Sequence, residues 1–256
     1  MNPSNRRTFL RGALMAATGA CLAACDRLNS SPAVLKVLDS AEGLNRRLTG
    51  ALARKALARE FPASAISPHF RANGSTDPDK ESYRQLVENN FAEYKLEIGG
   101  LVERPLQLSL AELRAAPSRT QITRHDCVEG WSCIGKWQGA KLGPLLDRAG
   151  LKPNARFIAF YCADTLGENL DGSDDYYETI DLDDAYHEQT ILAYEMNDQV
   201  LPVAHGAPLR LRLERQLGYK MAKYIMRIEA IEDFAHLAAG KGGYWEDRGY
   251  AWFAGI

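Results

Sequence analysis

Arg124-His125-Asp126-Cys127-Val128-Glu129-Gly130-Trp131-Ser132 is the most informative stretch of this sequence. It places one thiol, Cys127, between charged residues and a tight turn of small and aromatic residues. A thiolate is a soft ligand that suits a redox metal, and the charges of Arg124 and His125 are expected to favour the ionised thiol. Two alternatives stay open at this point: a buried structural thiol, or a disulfide to Cys133.

A second motif lies far downstream, where residues 205–210 (His-Gly-Ala-Pro-Leu-Arg) lead into residues 218–223 (Gly-Tyr-Lys-Met-Ala-Lys). Arg210 and Lys223 supply the positive charge that an anionic ligand needs, and Lys220 is a further candidate. The glycines in both runs let the backbone approach a ligand closely. The alternative for Arg210 is a surface charge on a strand, because more arginines follow it.

In this order and at this separation the two motifs resemble those of the sulfite-oxidase family of molybdenum-cofactor oxidoreductases. The resemblance extends from about Phe61 to the C-terminus. The resemblance implies a molybdopterin-binding fold and Mo-molybdopterin as the cofactor, with Cys127 as the catalytic metal ligand. It also implies that the segment from Phe70 to Gly74 is an early cofactor-binding loop. The cofactor-binding positions that it implies are Arg71, Ala72, Asn73, Cys162, His205, Arg210, Met221, Ala222 and Lys223. Cys162 departs from the family, in which a hydroxyl residue is often found.

The order of predicted elements independently indicates an α+β class, with mixed β-sheets and short helices. Helices are predicted after the N-cap Ser109, before the closing Gly150 and from Leu182. A run from Phe61 to Lys80, rich in Pro, Ser, Asn and Gly, predicts an irregular segment. Alternating or buried apolar runs predict strands at 94–102, 121–124, 157–161, 177–180, 191–197, 209–214 and 222–231. The segment 171–178, with its acidic run and tyrosine pair, is predicted to form a loop near the cofactor mouth. The alternative for its aspartates is a solvated acidic turn.

Two departures from sulfite oxidases proper refine the expectation. Val128-Glu129-Gly130 follows Cys127 where those enzymes carry arginines, and the sequence reaches Ile256 without their C-terminal immunoglobulin-like domain. The resemblance is therefore to the single-domain bacterial branch, which includes periplasmic methionine-sulfoxide reductase catalytic subunits. It implies oxygen-atom transfer at a sulfur centre of a small-molecule or sulfoxide substrate. Electrons are expected to be exchanged with a separate membrane or periplasmic cytochrome.

Two other functions remain open. One is a sulfite dehydrogenase-like enzyme that uses a cytochrome acceptor, and the other is a binding lipoprotein that has kept the fold but lost catalysis. A zinc protein has little support, because the sequence has no CxxC pair. Nucleic-acid binding is not expected either, since the net charge is -2 and no basic stripe is visible.

The first residues predict export. Arg6-Arg7 before a short apolar run is typical of a twin-arginine signal peptide, and Leu22-Ala23-Ala24-Cys25 resembles a bacterial lipobox. The alternatives are an ordinary secretory signal and cleavage without lipid attachment. We expect a signal peptide over 1–24, a lipid anchor at Cys25 with a helical stalk over 25–60, and an oxidoreductase domain over 61–256. A membrane-anchored protein in the periplasm follows.

Overall fold

The computed structural model describes residues 55–167 and 175–256 and, before them, residues 31, 32, 34, 36, 37, 40 and 43–47. The chain divides into two compact units, 1–52 and 53–256. In the first unit the described residues from 32 to 47 are helical. The predicted signal peptide, Cys25 and the predicted acidic turn at 171–174 lie outside the described residues. The described part of the chain contains no helix whose length and hydropathy would allow it to span a membrane.

The second unit alternates strands with short helices. The helices are α1 (Glu81–Glu88), α2 (Leu110–Ala115), α3 (Leu142–Ala149) and α4 (Leu182–Ala185). The strands are β1 (Lys95–Gly100), β2 (Leu106–Ser109), β3 (Ser118–Cys127), β4 (Trp131–Lys141), β5 (Phe157–Thr165), β6 (Asp175–Asp181), β7 (Ile191–Met196), β8 (Gln199–Val200), β9 (Arg210–Arg212) and β10 (Ile225–Ile231). Short 3-10 helices cover Ala63–Ala65, Val203–His205, Gly218–Lys220 and Glu246–Arg248.

Two five-stranded sheets share the core. One has the order β2-β1-β10-β5-β6, in which β1 and β10 are parallel and the other neighbours are antiparallel. The other has the order β3-β4-β7-β8, with β9 paired to β7. Mixed pairing of this kind is common in α+β folds. The largest buried cluster draws on both sheets and on α3.

Local sequence explains the helix boundaries. Ser109 and Glu112 form a reciprocal capping box at the start of α2, which satisfies two backbone donors at once. In α3 the apolar side chains recur at helical spacing and face the core, and Gly150 ends the helix with a φ of +73°. Both helices were predicted from these signals.

The longest strand, β4, was missed by the sequence analysis. The stretch Trp131–Lys141 contains glycines and polar residues, so it lacks the continuous β-branched pattern of a predicted strand. It nevertheless pairs with β3 from Trp131 to Ala140 and, on its other side, with β7 from Trp137 to Lys141. At Gly139 a Cβ would come within 2.3 Å of the backbone oxygen of Leu192, which means that glycine permits close approach of β7.

Candidate functional site

Cys127 ends β3 and opens the β3–β4 hairpin. It pairs with Trp131 across a turn in which Gly130 has a φ of +84°, a conformation that glycine adopts without strain. Cys127 is partly exposed, and both it and Cys133 carry free thiols. The disulfide alternative is therefore wrong, and the hairpin holds the Cys127 thiol at the surface of a cavity.

The expectation that neighbouring charges keep this thiol ionised is also wrong. Burial raises the pKa of Cys127, and the carboxylate of Glu129 raises it further. Arg124 donates to Asp126 at 2.9 Å instead of facing the thiol. His125 is neutral, because burial and the nearby cations depress its pKa well below the usual range. Arg71 and Arg210 oppose the rise in the pKa of Cys127 without cancelling it, and a bound metal would favour the thiolate.

The cavity beside Cys127 has a volume of about 110 Å³. One group of its lining residues carries polar or charged atoms, and another group is aromatic or apolar. The lining residues are Asn73, Gly74, Ser75, Cys127, Val128, Glu129, Asp164, Leu166, Tyr176, Gly218, Tyr219, Met221, Lys223, Trp245 and Tyr250. Three predicted cofactor-binding residues, Asn73, Met221 and Lys223, thus share one cavity with Cys127.

Arg210 is fully buried on β9 and has no carboxylate partner among the described residues. Its guanidinium donates to the carbonyl of His205 at 3.2 Å and to Oδ1 of Asn73 at 3.1 Å, while its Nε has no partner. Burial, together with the charge of Arg212, lowers the pKa of Arg210 to about 9. The alternative of a surface charge on a strand is therefore wrong, and a buried cation without a hydrogen-bonded counter-ion marks a site for an anion.

Lys223 adds a second uncompensated charge to the same place. Its Nζ donates to the backbone carbonyl of Asn73 at 2.7 Å and to that of Ser75. Burial and the repulsion of Arg210 lower its pKa to about 7. Gly206, with a φ of +112°, permits this packing, since a Cβ there would lie 2.9 Å from Cβ of Lys223. Asn73 therefore holds Arg210 through its side chain and Lys223 through its backbone.

His205 borders the same cations. Its ring packs edge-on against Phe70 at 5.6 Å, and its buried Nδ1 has no partner. Burial and the charges of Arg210 and Lys223 lower the pKa of His205 to about 4. The ring is thus neutral at physiological pH, and an unsatisfied nitrogen remains available to a bound group.

Two other buried cations have partners of their own. Arg212 forms a buried ion pair with Glu214 at 2.8 Å and donates to Nδ1 of His125 at 3.1 Å. Lys220 donates to Glu246 at 2.6 Å and to Glu178, and all three side chains are buried. Although burial alone would lower it, the charges of the two glutamates raise the pKa of Lys220. The prediction of Lys220 as a further ligand cation is therefore wrong.

The remaining predicted positions are more dispersed. Arg71 is exposed, 3.7 Å from Glu129 and over the ring of Trp131. Ala72 is partly buried next to Asn73, and Ala222 is fully buried, with its carbonyl accepting from Leu211. Cys162 is buried on β5, where burial raises its pKa well above the usual range. Their contacts with a cofactor stay predictions.

Sequence reasoning missed several residues of the cavity. Asp164 is 3% exposed, its Oδ1 has no partner, and burial raises its pKa to about 6. No motif pointed to it, because it lies near the end of the buried strand β5 and no local pattern distinguishes it from other polar residues at strand ends. Tyr176 lies on β6, not in a loop, and it lines the cavity. Trp245 and Tyr250 come from the C-terminal segment, in which no sequence motif marked them as part of a site.

Comparison with known proteins decides the family. The profile of the oxidoreductase molybdopterin binding domain matches residues 84–236, more than half of the chain. The chain belongs to this family. The sulfite-oxidase resemblance and the molybdopterin cofactor predicted from it are thereby confirmed, and the protein is an oxidoreductase of the sulfite-oxidase family.

Two relatives illustrate the range of similarity. A protein from Azospira oryzae, assigned as the protein-methionine-sulfoxide reductase subunit YedZ1, is 39% identical over 78% of this chain and 68% of its own length. The protein-methionine-sulfoxide reductase catalytic subunit MsrP of Campylobacter jejuni is 33% identical over 59% of this chain. The match covers 54% of that MsrP, so the chain spans about half the length of this relative.

A solved structure confirms the predicted fold class. The sulfane dehydrogenase SoxCD of Paracoccus pantotrophus has a TM-score of 0.50, at 20% identity, over 70% of this chain and 46% of its own. At this identity the likeness concerns the fold alone. The mixed sheets of the described residues agree with it.

The residues present fit molybdopterin. Its phosphate needs cations and hydrogen-bond donors, which Arg210, Lys223 and the unsatisfied Nδ1 of His205 offer. The described residues contain no cluster of three or more His, Cys, Asp or Glu side chains able to hold a metal ion. A single cysteine beside an anion site suits a metal whose other ligands come from the cofactor.

Proposed function

We propose that this domain is a molybdopterin-dependent enzyme that transfers an oxygen atom at a sulfur centre, by reducing a sulfoxide. The observation that carries the proposal is that one accessible thiol, Cys127, and the buried cation Lys223 line the same cavity, while buried Arg210 donates to Asn73, a third residue of its lining. The names of the methionine-sulfoxide reductase relatives support the choice of substrate. When bound, the cofactor supplies the two-electron redox chemistry.

The protein's own residues hold the cofactor and shape the site. Cys127 would ligate the metal, and Arg210, Lys223 and His205 would bind the phosphate end. Asn73 would orient the two cations, because it contacts both of them. In the net reaction a sulfoxide takes up two electrons and two protons and gives a sulfide and water. The electrons would come from a separate redox protein, for which a membrane or periplasmic cytochrome is our proposal.

We also propose export to the periplasm by the twin-arginine route and a lipid anchor at Cys25. The Arg6-Arg7 pair and the residues before Cys25 support this. A route that carries folded proteins suits an enzyme that must receive its cofactor before export. Mass spectrometry of the mature N-terminus tests the proposal: a diacylglyceryl group on Cys25 supports it, and an unmodified N-terminus contradicts it.

The proposed function is tested by metal content and turnover together. Protein made in a host that synthesises molybdopterin should contain close to one molybdenum per chain and give a Mo(V) electron-paramagnetic-resonance spectrum with thiolate coordination. The Cys127→Ser variant should lose that thiolate signature and methionine-sulfoxide reduction, while Cys133→Ser, at the neighbouring free thiol, should keep both. Unchanged metal content and turnover in Cys127→Ser would contradict the role of Cys127, whereas wild-type protein without molybdenum and turnover would favour a binding role.

A further inference from the structure

The C-terminal segment from Gly242 to Tyr250 contributes to the cavity although it lies beyond residues 84–236, the part of the chain that matches the family profile. Trp245 and Tyr250 from this segment line the cavity that Cys127 also lines. One side of the cavity is therefore built by residues that the shared family pattern does not specify.

These residues belong to a continuous set of aromatic rings, here called the aromatic wall. Its members are Tyr176, Tyr219, Tyr244, Trp245 and Tyr250. Ring centroids lie 5.9 Å apart for Tyr176 and Tyr244, 5.3 Å for Tyr244 and Trp245, 5.4 Å for Trp245 and Tyr250, and 5.1 Å for Tyr250 and Tyr219. Such spacing is favourable for tilted and edge-on ring pairs, so each ring holds the next in place.

Hydrogen bonds fix the segment that carries the wall. Glu246, which follows Trp245 in the chain, accepts a hydrogen bond from buried Lys220 at 2.6 Å. Asp247 accepts from the hydroxyl of Tyr177 at 2.6 Å, and the backbone N–H of Tyr244 donates to the carbonyl of Tyr177 at 3.0 Å. The buried ion triad of Lys220 with its two glutamates thus anchors the aromatic wall, and the wall is preorganised.

The exposure of the lining residues shows which side of the cavity faces solvent. Lys223 and Asp164 are buried, whereas Val128 is 46% and Tyr250 38% exposed. The exposed side of the cavity therefore carries an apolar and an aromatic side chain together with the carboxylate of Glu129. Lys223 is the one cation among the described lining residues, and its ammonium is directed to backbone carbonyls.

This composition distinguishes between sulfur substrates. Exposed Glu129 adds a carboxylate at the mouth, which disfavours an anion such as sulfite there. Aromatic faces and edges instead attract apolar and sulfur-containing groups. A neutral sulfoxide with an apolar substituent, such as the side chain of methionine sulfoxide, has the complementary chemistry.

We infer that the aromatic wall sets the substrate specificity of this enzyme, with Trp245 and Tyr250 contacting the substituents of a neutral sulfoxide. The inference rests on the proposed function, because it places the sulfoxide beside Cys127. It assigns these two residues to substrate recognition and not to cofactor binding.

The test compares two sulfoxides on molybdenum-loaded enzyme, with a reduced viologen dye as the electron donor. N-acetyl-methionine sulfoxide reaches the wall, and dimethyl sulfoxide is too small to fill it. Trp245→Ala and Tyr250→Ala should each lower kcat/KM for the larger substrate by up to about tenfold, chiefly through KM, since lost aromatic contacts are of that size. For dimethyl sulfoxide the change should stay within about threefold.

Controls separate the wall from general damage. Tyr186 is an aromatic residue of similar exposure, 44%, that does not line the cavity, and Tyr186→Ala should leave both substrates unaffected. Trp245→Phe keeps an aromatic ring and should restore most of the larger substrate's kcat/KM, and molybdenum content should match the wild type in every variant.

The outcomes are distinct. An unchanged ratio between the two substrates in Trp245→Ala and Tyr250→Ala overturns the wall assignment and leaves the proposed function standing. A molybdenum-containing wild-type enzyme that reduces neither sulfoxide contradicts the proposed function itself, and the wall assignment with it.

Discussion

The buried cations of this protein form two contrasting sets. Arg212 and Lys220 each have carboxylate partners: Glu214 for the first, and Glu178 with Glu246 for the second. Arg210 and Lys223 lie close to them in sequence and are also buried, but they donate hydrogen bonds to neutral oxygens.

The difference shows how burial and charge separate structural from ligand-binding residues. A buried charge needs compensation by an opposite charge. The first set receives this compensation from glutamates of the protein, so its role is structural. In the second set no carboxylate forms a hydrogen bond or ion pair with either cation among the described residues. Burial lowers the pKa of Arg210 to about 9 and that of Lys223 to about 7, although the nearby carboxylates of Glu214 and Asp164 oppose the shifts. The counter-charge of this set must come from a ligand.

The largest expected difference between the two sets comes from two single variants, in which each arginine of β9 is replaced separately by methionine. Arg212→Met leaves Glu214 buried without its cation and should destabilise the cofactor-free protein by about 3–5 kcal/mol. Arg210→Met removes an uncompensated charge and should change the stability of the cofactor-free protein by about 1 kcal/mol or less. Urea denaturation of protein from a host that lacks molybdopterin measures both.

Cofactor content should depend on Arg210, although the stability of the cofactor-free protein does not. Made in a host that supplies molybdopterin, Arg210→Met should contain little molybdenum although it is folded. Equal destabilisation by the two replacements, or full molybdenum content in Arg210→Met, would show that the two arginines do not differ in the way proposed.

A second prediction uses the titration of Lys223. Its pKa in the folded cofactor-free protein is about 7, below the ordinary value of 10.5. Between these values the unfolded chain binds a proton that the folded protein does not, so the stability of the folded state rises with pH. The contribution is up to about 1.4 kcal/mol per pH unit, and it is lost as the pH falls through 7.

The measurement is urea denaturation of cofactor-free protein from pH 7 to 8.5, for wild type and Lys223→Met. The slope of stability against pH should be smaller in the variant, because the variant lacks the ammonium of Lys223. The other titrating groups contribute equally to both proteins, so they cancel in the comparison. Bound molybdopterin should flatten the wild-type slope as well, since its phosphate keeps Lys223 charged. Identical slopes in the two cofactor-free proteins would contradict the uncompensated state of Lys223.

Much of this site could be predicted from the sequence, because its metal-binding and cofactor-binding residues lie within the family motifs. Cys127, Asn73, Met221 and Lys223 were predicted from such motifs, and they line one cavity. The motifs could not separate Lys220 from Lys223, since the distinction depends on glutamates far away in sequence.

Features that depend on tertiary contacts were beyond sequence reasoning. Strand β4 is specified by its pairing on both sides and not by its own composition. The thiol of Cys127 was expected to be ionised by its sequence neighbours, but Arg124 is directed to Asp126 instead. Capping and periodicity are local, and for that reason α2 and α3 were predicted with their observed bounds.

The smallest expected effect concerns Arg71, which the family resemblance placed in the same cofactor-binding set as Arg210. Its side chain is 64% exposed, and its ion pair with Glu129 at 3.7 Å is in solvent. An exposed ion pair contributes less than about 1 kcal/mol, and water already solvates the charge of Arg71, so it creates no demand for an anion. Arg71→Ala should therefore change stability by less than about 1 kcal/mol and leave molybdenum content near that of the wild type. Lys136→Ala, which removes another solvent-accessible ion pair, with Asp198, is the matched control. Molybdenum loss in Arg71→Ala as large as that expected for Arg210→Met would show that uncompensated burial is not what selects the anion-binding cations.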